Sequence, residues 1–301
     1  MATLREIRRR IASITKISQV TDAMRMVATA KLRRAQQAIE ANRPYADKFG
    51  RILNQLIHLN NVAEENNTGS QLVHPLLEVR QVKRVCIISV SGDRGLCGSF
   101  NANTIRTTNQ RLQYYKQRGI EVDLICVGRR VADFFRRRLT VSGEYVNIFS
   151  NLKFEVAIDL ANEVSSMYSG KSVDSVEIIY NNFRTAILQV VQTEQLLPLD
   201  TSDQSFVSEI SESITSTEYL YEPTREEILH QILPKHLNAQ IWKALLDSNA
   251  AEQAARMTAM ENATQNAEDI IDELVLQRNR ARQTLITKEV AEIVSGAEAL
   301  G

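Results

Sequence analysis

KHLNAQIWKALLDSNAAEQAARMTAMENATQNAEDIIDELVLQRNRARQTLITKEVAEIVS, residues 235–295, contains no glycine and no proline. Alanine, glutamate, glutamine, arginine and leucine fill much of it. Alanine has the best helix propensity, and the straight-chain residues lose little rotamer freedom in a helix. An unbroken helix over this stretch would be roughly 90 Å long at 1.5 Å per residue. That length is unusual for a globular helix and points to a coiled coil or a shaft. Met260, Ala263, Ala267, Ile270, Leu274 and Ala281 follow steps of three, four, three, four and seven. Such a seam needs a partner helix. The competing reading is a long helix lying across one globular core.

A partner is available at the other end of the chain. Residues 3–58 read as a second long helix, free of glycine and proline before Pro44. Leu4, Ile7, Ile11, Ile14, Ile17, Val20, Met24 and Val27 trace its apolar face. The additional three-residue steps in that tracing depart from a strict heptad and predict local drift or overwinding. Pro44 is expected to kink or interrupt the helix. Residues 60–70, NNVAEENNTGS, are polar and turn-rich and read as a loop.

The middle of the chain changes period. Arg84–Val90 (RVCIISV) and Val122–Val127 (VDLICV) are short β-branched runs, with a helix-like stretch at 103–118 between them. A short helix at 131–139, a possible strand at 145–149 and a helical stripe through Phe154, Ala157, Ile158, Ala161 and Val164 follow. Residues 173–180 and 187–192 read as a hairpin. Strands alternating with helices imply a mainly parallel sheet covered on both faces. The expected organisation is an N-terminal shaft helix and loop over 1–75, an α/β domain over 76–200, an acidic connection over 201–222 and a C-terminal shaft helix over 223–301. The connection is expected to contain a short strand at 218–221. Thr224 and Glu227 supply a capping box for the last helix, and Pro234 is expected to bend or interrupt its first turns.

The zero net charge hides an asymmetry. Residues 1–43 carry ten Lys or Arg against three acids, and residues 235–301 carry seven against ten. Opposite signs suit antiparallel pairing of the two ends, although each exposed pair contributes little. Cys86, Cys97 and Cys126 lack metal-ligand spacing and read as reduced thiols. No apolar run is long enough to span a bilayer. The basic start MATLREIRRR lacks the apolar core of a signal peptide.

No catalytic constellation emerges. Ser91-Gly92-Asp93-Arg94-Gly95-Leu96-Cys97-Gly98-Ser99-Phe100-Asn101 follows the first strand, where α/β domains bind ligands. Its glycines are spaced three and three, which does not fit a dinucleotide fingerprint. Gly170-Lys171-Ser172 ends like a phosphate-binding loop, but Ser165 stands where the first glycine belongs, so it reads as a turn. His58, His74, His230 and His236 form no metal or triad pattern. Cys97 beside Arg94 reads as a buried structural thiol in preference to a nucleophile. Arg5, Arg8, Arg9, Arg10, Arg33 and Arg34 could meet nucleic-acid phosphates, but no stacking aromatics accompany them, and an acidic protein partner fits better. No cofactor and no metal are expected.

Three segments then carry a resemblance: IASITKISQVTDAMRMVATAKLRR over 11–34, SGDRGLCGSFN over 91–101, and RNRARQTLITKEVAEIVSGAEAL over 278–300. In these the chain resembles the γ-subunit family of F-type ATP synthases along nearly all its length. The resemblance implies an antiparallel coiled coil of the two terminal helices with an inserted, Rossmann-like α/β domain. It implies a non-catalytic rotor shaft standing inside a hexamer of three α and three β subunits. The α/β domain would sit against the ε subunit and the c ring, and contact with the membrane would come only through the complex. Arg282, Gln283 and Thr287 match family positions that bond to a loop of one β subunit. Arg256 matches a further polar position, and Met24 matches the position facing an acidic segment of β, with Arg25 and Lys31 beside it. Ile293, Val294, Ala297 and Leu300 would form a low-friction tip. Thr21-Asp22 departs from the basic residue common before Ala-Met, and residues 265–269 replace a stretch that often contains glycine. The dithiol insert of the chloroplast form is missing. The lack of a leader favours a bacterial protein at the cytoplasmic face of the plasma membrane. The alternative is a cytosolic nucleotide-binding α/β protein with coiled-coil dimerisation arms.

Overall fold

The computed structural model describes residues 3–65, 74–186, 188–199 and 225–298. The acidic connection at 201–222, its expected strand at 218–221, Thr224 and Leu300 lie outside the described residues. Two long helices bracket the chain, α1 (Leu4–Glu65) and α5 (Arg225–Glu298). Pro44 lies inside α1 and Pro234 inside α5, and neither ends its helix. A proline removes one backbone donor and crowds the preceding turn, and the flanking hydrogen bonds hold the helix through that local loss.

Between them run β1 (Arg84–Val90), α2 (Phe100–Gln117), β2 (Glu121–Val127), α3 (Arg129–Phe135), β3 (Gly143–Tyr145), α4 (Phe154–Ser169), β4 (Ser175–Phe183) and β5 (Gln189–Leu197). The five strands form one sheet in the order β3-β2-β1-β4-β5. β1 pairs in parallel with β2 and β4, β2 pairs in parallel with β3, and β5 returns antiparallel to β4 as the expected hairpin. The third strand ends at Tyr145, and a 3-10 turn over Ile148–Ser150 takes the rest of the segment expected to be extended. β1 is buried from Val85 to Val90, which is why its sequence is a continuous apolar run instead of an alternating one.

The chain divides into two compact units, one of Met1–Ala30 with Arg256–Gly301 and one of Lys31–Ala255. The second unit holds the sheet, with a large apolar cluster on each of its faces and a smaller one around Cys97, Phe100 and Ala251. In one core, Val85, Ile87, Leu124 and Ile179 lie with Val131, Ala132 and Phe135 of α3 and Tyr115 of α2. In the other, Ile88, Val90, Ile125 and Ile178 lie with α4 and with Leu229, Leu233, Leu237, Ile241 and Leu245 of α5. The first half of α5 is therefore a core helix of the α/β unit. The two units meet along the chain at 30/31 and 255/256, so each long helix contributes to both, whereas the segments read from sequence follow the ends of the helices. Alanine- and leucine-rich, glycine-free sequence has the same composition in a helix laid on a sheet and in one wound on a partner. Composition alone therefore does not locate the change.

Candidate functional site: the rod of the terminal helices

In the unit formed by the two chain ends, the Thr21 and Thr264 hydroxyls meet at 2.8 Å. Arg25 also feels the charge of Glu261. One helix advances by four residues while the other falls back by three, so the helices run antiparallel. Burial then gives the seam. On α1 the residues withdrawn from solvent include Leu4, Ile7, Ile11, Ile14, Ser18, Thr21, Arg25 and Ala28. On α5 they include Met257, Met260, Thr264, Ala267, Ile271, Leu274, Arg278 and Ala281. Both ladders alternate steps of three and four without a break, which is a strict heptad.

This corrects the tracing from sequence. Beyond Ile14 the apolar residues Ile17, Val20 and Val27 are 53%, 58% and 56% exposed, and the seam runs instead through Ser18, Thr21, Arg25 and Ala28. On α5 the rungs are Thr264 and Ile271, one residue beyond Ala263 and Ile270, and Ile270 is 45% exposed. Following only apolar side chains led the trace off the seam where the seam turns polar. Continuing the three-four alternation of Leu4, Ile7, Ile11 and Ile14 regardless of polarity leads to Ser18 and Thr21, but it does not say which residue of α5 lies opposite.

Extended from Thr21 opposite Thr264, the register sets Ile14 opposite Ile271, Ile11 opposite Leu274 and Leu4 opposite Ala281. α1 begins at Leu4, so among the described residues α5 has no partner rung after Ala281, and every residue described from Arg282 to Ser295 is exposed. This single helix carries Arg282, Gln283 and Thr287 together with exposed Leu285, Ile286, Val290, Ile293 and Val294. Arg282, Gln283 and Thr287 thus share one projecting segment with Ile293 and Val294. Met24 and Arg25 are half-buried on α1. The Arg25 guanidinium donates from Nε and Nη2 to Asp22 Oδ1 at 3.0 and 2.7 Å, and this bond raises its pKa above the ordinary value. Arg256 is half-buried, more than 20 residues before the projecting segment.

The glycine-rich loop after β1 is filled by its own chain. Asp93 accepts backbone N–H groups from Arg129, Asn147 and Phe149, and the Ser91 hydroxyl accepts that of Val131. Asn101 accepts from the Gly92 N–H and donates to the Arg94 carbonyl. Two amides at the start of α3 are thus turned toward protein oxygens, where a phosphate site would leave them open. A Cβ on Gly92 would lie 2.8 Å from the Glu252 carboxyl carbon, and one on Gly95 would lie 2.8 Å from the Arg130 guanidinium. Gly128 has φ +96, and a Cβ there would lie 2.1 Å from the Ser91 carbonyl oxygen. The glycines serve close packing at a corner joining β1, α3 and the β3 end. Gly170-Lys171-Ser172 forms a turn after α4, with Lys171 at φ 58.

Comparison with known proteins agrees with the rod. The family model described as ATP synthase matches residues 3–300. The ATP synthase gamma chain of Chlorobium limicola is 43% identical over 307 residues, covering 100% of this chain and 99% of that one. The chain belongs to the ATP synthase gamma-chain family. The gamma chain of Heliobacterium modesticaldum is 41% identical over the full length of both chains. Among solved structures, the central stalk and c-ring of Tetrahymena thermophila mitochondrial ATP synthase contains a chain 29% identical with a TM-score of 0.60, covering 81% of this chain and 99% of that one. A chain of the Euglena gracilis mitochondrial ATP synthase matches with a TM-score of 0.66 at 18% identity, over 99% of this chain and 94% of that one, and supports the fold. Membership of this gamma family does not favour the alternative of a nucleotide-binding protein with dimerisation arms.

Proposed function

We propose that the chain is the central rotor shaft of a proton-translocating rotary ATP synthase, carrying torque between a c ring and a hexamer of three α and three β subunits. The observation that supports this most directly is the projecting end of α5. A lone helix exposing Leu285, Ile286, Val290, Ile293 and Val294 to water is unfavourable in isolation and suits an apolar sleeve. Apolar contact has no directional bonds to break, so such a tip can turn against its surroundings. Arg282, Gln283 and Thr287 lie just before it, and their polar groups serve as a catch on one β subunit. The outward stripe of Ile17, Val20 and Val27, with Met24 beside it, gives the rod a second face for the hexamer. Met24, Arg25 and Arg256 are assigned to that contact, together with Ile293 and Val294 at the tip and Leu300 beyond the described residues.

The shaft performs no chemistry itself. It presents a different face to each β subunit as it turns and so changes the nucleotide sites in sequence. The α/β unit is assigned to the ε subunit and the c ring. No described helix is long and apolar enough to cross a membrane. The proposed position is peripheral, at the cytoplasmic face, with membrane contact made through the rest of the complex.

Co-expression with α, β and ε tests the reading: the chain is expected to co-purify with three α and three β subunits. Replacing Arg282 and Gln283 with alanine is expected to lower ATP turnover of that complex while nucleotide binding to isolated β stays the same. Unaltered turnover would remove the catch assignment, and failure to co-purify would remove the rotor reading.

A further inference from the structure

The rod contains a polar interval at a place where coiled coils are normally apolar. In the observed register, the pairs Ile11/Leu274 and Ile14/Ile271 give way to Ser18/Ala267 and Thr21/Thr264, followed by Arg25 opposite Met260. Apolar rungs alone do not choose this register. Shifting one helix by a heptad, about 10 Å at 1.5 Å per residue, brings Leu4 against Leu274 and Ile7 against Ile271. Those pairs are at least as apolar as Leu4/Ala281 and Ile7/Arg278, which the observed register makes.

The polar interval does discriminate. Thr21 Oγ lies 2.8 Å from Thr264 Oγ. Thr21 Oγ also reaches its own helix at the Ile17 and Ser18 carbonyls, at 3.1 and 3.0 Å, and Thr264 Oγ reaches the Met260 carbonyl at 2.9 Å. Two hydroxyl protons thus serve a row of acceptors: whichever threonine donates across, the other donates to its own backbone. Shifted by a heptad, Thr21 faces Met257 or Ile271, and Thr264 faces Ile14 or Ala28. Each hydroxyl keeps its own carbonyl in the shifted register, so what is lost is the cross-helix bond. The energetic difference is that of one net hydrogen bond, roughly twofold to tenfold in an equilibrium.

We infer that the Thr21–Thr264 hydroxyl pair fixes the axial register of the two terminal helices and resists their sliding past one another. A single polar pair at a seam position is a known device for specifying register at some cost in stability. The inference concerns the rod itself and holds whatever the rod drives.

Disulfide trapping in the full-length chain tests it. The native thiols Cys86, Cys97 and Cys126 are buried and lie outside the rod. Ile14→Cys with Ile271→Cys reports the observed register, and Ile7→Cys with Ile271→Cys reports the one shifted by a heptad. In the otherwise native chain the first pair is expected to cross-link in several-fold excess over the second. Adding Thr21→Val with Thr264→Val, which keeps the shape and removes the hydroxyls, is expected to lower the ratio of the two products about fivefold. Thr21→Ser with Thr264→Ser is expected to leave it unchanged. Each single valine variant breaks the same bond, so the double is expected to drop the ratio no further than either single. Helicity by circular dichroism verifies that each variant is folded, and the single variants carry the test if the double is not. An unchanged ratio in the valine variants, even with a shifted melting temperature, overturns the inference, as does a strictly additive double.

Discussion

Replacing Asp247 with asparagine is expected to stabilise the α/β unit by an amount that grows as pH rises from about 4 to 7. Asp247 lies on the core half of α5, 6% exposed. Burial is the main cause that raises its pKa from 3.8 to about 6, Glu194 on β5 adds to the rise, and Lys243 one turn earlier opposes it. Because the folded value lies above the unfolded one, the folded state holds a proton that the unfolded state releases between about pH 4 and pH 6. Stability therefore falls as pH rises through that window and stays lower above it. The rise from 3.8 to about 6 corresponds to about 3 kcal/mol at 1.36 kcal/mol per unit. His74 and His236 act in the opposite sense. Both are lowered from 6.5 to about 4, mainly by burial, with His230 also acting on His74, so stability is lost as pH falls through that range. The native curve mixes the two trends, and the difference between variant and native chain isolates Asp247. Thermal unfolding of the full-length chain from pH 4 to pH 8 is the assay. The asparagine variant is expected to gain about 2–3 kcal/mol relative to native between pH 4 and pH 7, about 4–10 °C for a unit of this size. A difference that does not change with pH over that interval would refute the reasoning.

Three further substitutions probe the fold. Gly128→Ala is expected to cost more than about 3 kcal/mol, through positive-φ strain and the collision with the Ser91 carbonyl, and to deplete soluble folded chain. Glu177 is buried and accepts from Arg111 Nε at 2.8 Å and from the Tyr115 hydroxyl. Glu177→Leu strands both partners, and a urea-denaturation loss of about 2 kcal/mol is expected, reduced because the Arg111 head is partly solvated. In the rod, Ile271→Ala is expected to destabilise more than Ile270→Ala by about 1 kcal/mol, and the reverse order would contradict the assigned seam.

The strand–helix alternation was legible in the sequence because β1 and β2 are short β-branched runs and α4 carries a clean apolar stripe. The long terminal helices were legible from their long stretches free of glycine and proline, and their antiparallel direction from the need of two chain ends to pair around an inserted domain. Register was not legible, because Ile17, Val20 and Val27 offer a better apolar line than the polar rungs Ser18 and Thr21. The boundary within α5 was hidden for a related reason: Leu229, Leu233 and Leu237 face a sheet, Met260 and Leu274 face a helix, and both patterns repeat at helical spacing. The candidate contact residues Arg282, Gln283 and Thr287 were legible only through the resemblance, since three exposed polar residues on a helix carry no signal of their own. That no described helix pairs with them follows from the starting point of α1, which spacing in α5 alone does not reveal.

Moving Ile17, Val20 and Val27 out of the seam has a consequence for the molecule before it is assembled. Together with the end of α5 they leave the newly made chain with greasy strips facing water, and none of the described residues hides them. Such a protein sticks to itself when made in surplus. If partner subunits cover these faces as proposed, a supply of those subunits matched to this chain is what keeps the strips out of water.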